Sequence, residues 1–317
     1  MKSIVINLIG VKVRLCSNTE DAIAFIIGFN HILDIFYQLE QDESVYDCTL
    51  FYYDEPSTEQ KIILDGDNAI FIAEWRKVFR STSIRTIIIL LAERYRQQYF
   101  NQLTLHASSF ASNGKGVICL GSQGAGKTAI MMQMVIRDAF EYISNEYTVV
   151  GMTKNGISLF GASGPLSIRY ESLKMSFPEL INNIFKEKPT DAWQNKKRIS
   201  PEQLGMKIAQ TPLLLKNVYV LRLQKSGENY MEKIDDLYRL NALLYEESTR
   251  IIKGCALPIY TPEGKVSTYC PSFDTPFANL KRQHIFESLT NKVSMLSGTM
   301  DFCRETIKKD LYENDDK

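Results

Sequence analysis

Gly121-Ser122-Gln123-Gly124-Ala125-Gly126-Lys127-Thr128 fits the phosphate-loop pattern G-x-x-x-x-G-K-[ST] at every fixed position. Just before it, Gly116-Val117-Ile118-Cys119-Leu120 is a short apolar run that reads as a buried strand. Just after it, residues 128–139, rich in Ala, Met, Gln and Ile, read as a helix. Glycines let such a turn close around an anion, and the first turn of a helix points unpaired N–H groups back at it. Lys127 supplies charge for the β/γ-phosphates, and the Thr128 hydroxyl suits the accompanying Mg²⁺. The nucleotide-binding candidates are therefore Gly121, Ser122, Gln123, Gly124, Ala125, Gly126, Lys127, Thr128 and Ala129.

The chain has 317 residues, enough for two modest cores, and its 44% hydrophobic and 23% charged content is that of a globular protein. Lys plus Arg and Asp plus Glu both number 37, so no global field calls for nucleic acid or an anionic membrane. Residues 1–8 read as a strand rather than a leader, and the aliphatic run at 87–92 is too short to span a bilayer. These features predict a soluble, cytoplasmic protein. Cys16, Cys48, Cys119, Cys255, Cys270 and Cys303 show no C-x-x-C pair and no zinc-ligand spacing, which predicts reduced thiols and no metal cluster.

Outward from the loop, residues 2–15 read as a bent or two-part strand and 22–39 as a helix, with strand as the alternative; His31 within it reads as a packing residue. Residues 45–53, 61–64 and 69–73 are strand-like and separated by good turns. A long helix, capped by Ser81 or Ser83 and running to about residue 98, reads as a bridge with Arg94 and Arg96 near its carboxyl end. The predicted division is a small α+β module over 1–98 and a second domain over 99–317. Residues 185–201 are basic with little periodicity, and the 186–198 stretch and the 1–98 module are the candidates for substrate docking; 234–253 and 284–307 are helical by spacing, 257–277 is a proline-punctuated loop, and 310–317 is an acidic tail.

Nucleotide chemistry calls for a carboxylate at the tip of a strand neighbouring the loop, and Glu146, after Glu141-Tyr142-Ile143-Ser144-Asn145, is the best-placed candidate. An exposed turn carboxylate is the alternative. Gly161-Ala162-Ser163-Gly164-Pro165-Leu166-Ser167-Ile168-Arg169 is a second small-residue loop; Arg169 fits a phosphoryl group or an acidic part of the acceptor, or is a solvated strand end.

Leu105-His106-Ala107-Ser108, Gly114-Lys115-Gly116-Val117, the loop and Ser144-Asn145-Glu146, in that order, resemble the HPr kinase/phosphorylase superfamily. The likeness is densest over residues 95–173. It is closest to the kinases of that superfamily found beside ribosomally made peptide pathways, including lasso-peptide kinases. The resemblance implies an α/β fold with a P-loop kinase core related to phosphoenolpyruvate carboxykinase, ATP and Mg²⁺ as cofactors, and transfer of the γ-phosphoryl to a serine or similar hydroxyl of a peptide or small protein. It implies that His106 assists the acid/base group and that Arg169 belongs to the peptide-tailoring subgroup's pattern. Catalytic candidates are thus His106, Lys127, Asn145, Glu146 and Arg169, with Thr128 and Glu146 on the metal.

Two departures bear on mechanism. Asn145-Glu146 stands where HPr kinases have two adjacent aspartates, so Glu146 is either the base or the metal-side group. The Glu-Ile-Arg-Gly segment is absent, Leu159-Phe160-Gly161 standing near its place, which argues against reverse phosphorolysis. A kinase for a small molecule and a nucleotide-binding scaffold without transfer are the alternatives. The resemblance implies assembly, yet no heptad seam predicts a homo-oligomer, and the oligomeric state stays open.

Overall fold

Lys2–Leu8 (β1) and Val11–Ser17 (β2) pair antiparallel through a tight turn in which Ile9 and Gly10 both take positive φ, 52° and 88°. This is the bent strand of the sequence reading, resolved into a hairpin. The computed structural model describes residues 1–28, 31–32, 35–56, 59–77, 83–161, 164–191, 196–254, 259–260, 263, 265 and 271–312. Ser81, Cys255, Cys270, residues 313–317 of the tail and the side chain of His31 lie outside the described residues.

The expected helix at 22–39 is shorter: α1 is Glu20–Ile27, followed by the brief strands β3 (His31–Ile32), β4 (Ile35–Phe36) and β5 (Gln38–Leu39). Gly28 and the aromatics beyond it favour extended backbone over a further helical turn. Cys48–Asp54 (β6), Lys61–Asp65 (β7) and Asn68–Ala73 (β8) complete a sheet in the order β5-β1-β2-β6-β8-β7, with β2, β6 and β8 parallel. Against it packs α2, Ser83–Tyr99, whose Ile84 and residues 87–92 are all buried. Arg96 does not serve its own helix end: its guanidinium donates to the Leu8 and Ile9 carbonyls at 2.8 and 2.9 Å and holds the β1–β2 turn. β9, Gln102–Leu105, then leads out of this unit.

The second unit is built on Ser108–Ser112 (β10), Lys115–Leu120 (β11), Glu141–Ser144 (β12), Thr148–Thr153 (β13), Gly156–Gly161 (β14), Leu166–Arg169 (β15), Lys196–Ile199 (β16), Leu213–Leu223 (β17), Tyr230–Lys233 (β18) and Val293–Gly298 (β19). β11 lies between β10, antiparallel, and β17, parallel, and β17 is in turn parallel to β19. The fold is thus mixed α/β. α3, Lys127–Met132, runs on as a π-helical turn over Gln133–Arg137, so the expected helix ends short of residue 139. Ile130, Met131 and Met134 are buried with Val117, Tyr219, Leu296, Cys303 and Ile307. Truncating such a side chain costs about 2–5 kcal/mol. Tyr170–Ser176 (α4) and Ile181–Ile184 (α5) follow β15.

Residues 284–307, expected as one helix, contain a strand. α6 is Leu237–Thr249, α7 is Pro276–Leu289 and α8 is Met300–Tyr312, with β19 between the last two. Val293-Ser294-Met295-Leu296 is a short apolar run that fits a central strand as well as a helix, and pairing with β17 decides it.

The two compact units are 1–104 with 242–287, and 105–241 with 288–317. The first takes in a later stretch that the sequence division at 98/99 gave to the second. Polar bonds tie that stretch in: Gln98 Nε2 donates to Thr275 Oγ1 at 2.9 Å, and Arg282 donates to Gln97 Oε1 at 2.6 Å. Among the described residues no helix is long and apolar enough to cross a membrane. Cys16, Cys48, Cys119 and Cys303 are free and buried.

Candidate functional site

β11 delivers the glycine-rich segment from the carboxyl end of a parallel strand, where α/β sheets place their ligands. Gly121 has φ 140°, and a Cβ there would lie 2.8 Å from the Leu221 carbonyl oxygen. Gly126 has φ 95°, and a Cβ there would lie 2.3 Å from the Leu223 side chain. β17 therefore presses on the loop so closely that only glycine fits at both positions. The Leu223 N–H donates to the Ala125 carbonyl at 3.0 Å and fixes the loop to that strand.

Lys127 opens α3 and is only 8% exposed. Its ammonium donates to the Gly121 carbonyl at 2.6 Å and lies 3.4 Å from that of Ser122, so it is held over the loop rather than in solvent. Ser122, Gln123 and Gly124 are exposed, while Thr128 and Ala129 are half-buried on the first helical turn. A buried cation, glycines without Cβ atoms and first-turn N–H groups together fit a phosphate chain.

The carboxylate tip follows β12. Ala107, just after His106, donates its N–H to the Glu146 carbonyl at 3.1 Å, and Ser108 Oγ donates to the Asn145 carbonyl at 2.8 Å. Beneath, Ser109, Ser144 and Thr148 form a closed triangle of buried hydroxyls, with Ser109 Oγ 2.7 Å from Ser144 Oγ and 3.0 Å from Thr148 Oγ1. The strand before the loop and the tip after it are thereby locked to each other.

That lock brings His106 Nε2 to 3.2 Å from Glu146 Oε2, with side-chain exposures of 15% and 22%. His106 Nδ1 is buried with no hydrogen-bond partner among the described residues. Burial works to raise the Glu146 carboxyl, but the hydrogen bond from His106 and the charges of Lys196, His106 and Lys127 outweigh it and hold the group below its ordinary range. Lys127 of the loop and Glu146 of the tip are thus within electrostatic reach of each other. Asn145 differs from its neighbour: it is 1% exposed, and its Oδ1 lies 3.3 Å from Ser108 Oγ.

Arg169 ends β15 and pairs across the ribbon with Lys196 of β16. Ala162 and Ser163 of the loop leading to it lie outside the described residues. In the sequence Lys196 stands with Lys186, Lys188, Lys197 and Arg198 in the basic 185–201 segment, a candidate for substrate docking, but has no role of its own at the carboxylate tip. A strand of four residues, three of them basic, has no apolar alternation to reveal it.

Among the described residues, no group of three or more His, Cys, Asp or Glu side chains is arranged to hold a metal ion. Thr128 and Glu146 offer one hydroxyl and one carboxylate, a set that fits Mg²⁺ sharing its shell with phosphate oxygens and water. No protein-family model matches the chain, and no curated protein matches it.

Proposed function

We propose that this chain is an ATP-Mg²⁺-dependent kinase of the cytoplasm, with a P-loop core of the HPr kinase type, that transfers the γ-phosphoryl to a hydroxyl of a peptide or small protein. The observation that carries the reading is the Glu146–His106 pair held within electrostatic reach of the buried Lys127 ammonium. A phosphate loop alone binds nucleotide; a carboxylate kept ionised beside it can orient the acceptor hydroxyl and accept its proton.

The roles follow from the chemistry of each group. The amides from Gly121 to Gly126 and the Lys127 ammonium bind the phosphates, and Thr128 with Glu146 or its hydrated neighbours would hold Mg²⁺, which neutralises charge on the phosphate oxygens. Glu146, ionised at neutral pH, orients the acceptor hydroxyl and takes its proton as the oxygen bonds to phosphorus and the bridging P–O bond to ADP breaks. His106 shares that proton through Nε2, and Arg169 belongs to the acceptor side.

A second reading, a nucleotide-binding scaffold without transfer, draws on Asn145: where HPr kinases carry a second aspartate, this side chain is buried against Ser108. Turnover separates the two. ATP-Mg²⁺ should raise the melting temperature of the wild-type chain and leave Lys127→Ala unmoved. Glu146→Gln should keep the nucleotide shift and lose labelled-phosphate transfer to a panel of serine peptides. A nucleotide shift that survives in Lys127→Ala would sink both readings, and nucleotide binding with no transfer to any peptide would favour the scaffold.

A further inference from the structure

The β15–β16 ribbon has two unlike faces. Leu166, Ile168 and Ile199 are buried, so the inner face is apolar. Lys197 sits among them in the alternation, and its ammonium donates to the Ile184 carbonyl and lies 5.9 Å from the Phe185 ring centre. The outer face holds what remains. Arg169 and Lys196 are direct cross-strand partners, and Arg198 stands two residues along from Lys196, opposite Ser167. Directly paired residues and residues two apart share a face of a sheet. Neither strand, Leu-Ser-Ile-Arg or Lys-Lys-Arg-Ile, contains an acid.

A solvated basic face is the ordinary explanation of such a run, but two features of position argue for a ligand. Lys196, the direct cross-strand partner of Arg169, is also one of the charges that hold the Glu146 carboxyl low, which supports setting this face on the acceptor side. Arg169 Nε is buried with no hydrogen-bond partner among the described residues, so part of its guanidinium has left water without a protein acceptor.

We propose that the outer face of the β15–β16 ribbon, Arg169 with Lys196 and Arg198, binds acidic side chains that flank the acceptor hydroxyl in the peptide substrate. The inference deepens the kinase reading by naming its substrate class, and it rests on that reading for the hydroxyl. The cations hold the flanking carboxylates, and the hydroxyl between them is left facing Glu146, whose own negative charge repels a carboxylate placed there instead.

The test is binding of unreactive peptides in which alanine replaces the serine, in the presence of ADP and Mg²⁺. One peptide carries glutamates beside the alanine, a second carries glutamines, and both have amidated ends; a third carries glutamines and a free carboxyl end next to the alanine. The glutamate peptide should bind the wild-type chain about tenfold more tightly than its glutamine twin. Lys196→Glu should remove that preference and Lys196→Gln should reduce it, with the nucleotide-induced melting shift reporting that both variants fold. Equal binding of the first two peptides, a preference that survives Lys196→Glu, selection of the free carboxyl end alone, or tighter binding of an RNA oligonucleotide than of the glutamate peptide would each overturn the proposal. Because no transfer is needed, acid-selective binding without turnover of the serine peptides would sink the kinase reading and keep this one, while turnover without acid preference would do the reverse.

Discussion

Glu93 in the first unit and Glu146 in the second are both carboxylates set among hydrogen-bond donors, and they are used in opposite ways. Glu93 is 2% exposed, and both of its oxygens are engaged: Oε1 accepts from Gln97 Nε2 at 2.6 Å and the Thr104 N–H at 2.8 Å, while Oε2 accepts from Thr104 Oγ1 at 2.5 Å and lies 3.4 Å from Arg96 Nε. The network continues through Gln97 to Arg282, which forms a bidentate pair with Asp274 at 2.9 Å. Among the described residues Glu146 has one side-chain hydrogen-bond partner, at 3.2 Å, and it keeps a fifth of its surface open. A carboxylate wrapped on every side fixes structure; one with an open side is available to a ligand. Burial and partner count, rather than residue type, separate the two.

The largest effect that sharpens this contrast is on turnover. Glu146→Gln should slow phosphoryl transfer by about 10²- to 10⁴-fold, the range of a positioned acid/base group, with nucleotide affinity kept. Stability should respond in the other unit: Glu93→Ala should cost about 3–5 kcal/mol in urea unfolding, because it strands a buried Arg96 and two Thr104 donors. Glu146→Ala should cost under about 1 kcal/mol in the same assay, since its partner reaches water. Equal losses from the two alanine variants would erase the distinction. Ser108→Ala should cost about 1–2 kcal/mol, the penalty for leaving the buried Asn145 carbonyl without its donor, and should lower transfer as the tip loosens.

The smallest effect is on pH dependence. The folded-state carboxyl of Glu146 is held below its unfolded value by His106, Lys196 and Lys127 against the opposing push of burial. A depressed carboxyl contributes stability that is fully present above the unfolded value, about 4.3, and is lost as pH falls through the lower folded value. Glu146→Gln should therefore lower the neutral plateau of the unfolding free energy slightly and flatten its acid limb below about pH 4.3. An acid limb identical to that of the wild-type chain would mean that the pair does not exist in solution.

The loop was legible because a strand, three glycines, a lysine and a threonine at fixed spacing have few other uses. Glu146 was legible as the last polar residue of a strand close by in sequence. His106 had no local signal beyond a strand end, and only the likeness of Leu105-His106-Ala107-Ser108 to a known family raised it. Lys196 was legible only as one cation of a basic candidate docking segment, because its pairing with Arg169 spans a gap of some thirty residues. The return of residues 242–287 to the first unit was hidden for the same reason: Arg282 falls between the expected loop and the expected helix, and its importance shows only with Gln97 and Asp274 around it. Short-range patterns mark the candidate site; long-range pairing decides what surrounds it.

The triangle of Ser109, Ser144 and Thr148 has a further consequence. Each corner owns one proton and two lone pairs, so donation can circulate around the ring in either sense without moving a heavy atom. Nothing in that ring ionises over the pH range in which proteins stay folded. The carboxylate tip is therefore tied to β10 through groups whose bonding does not change with acidity.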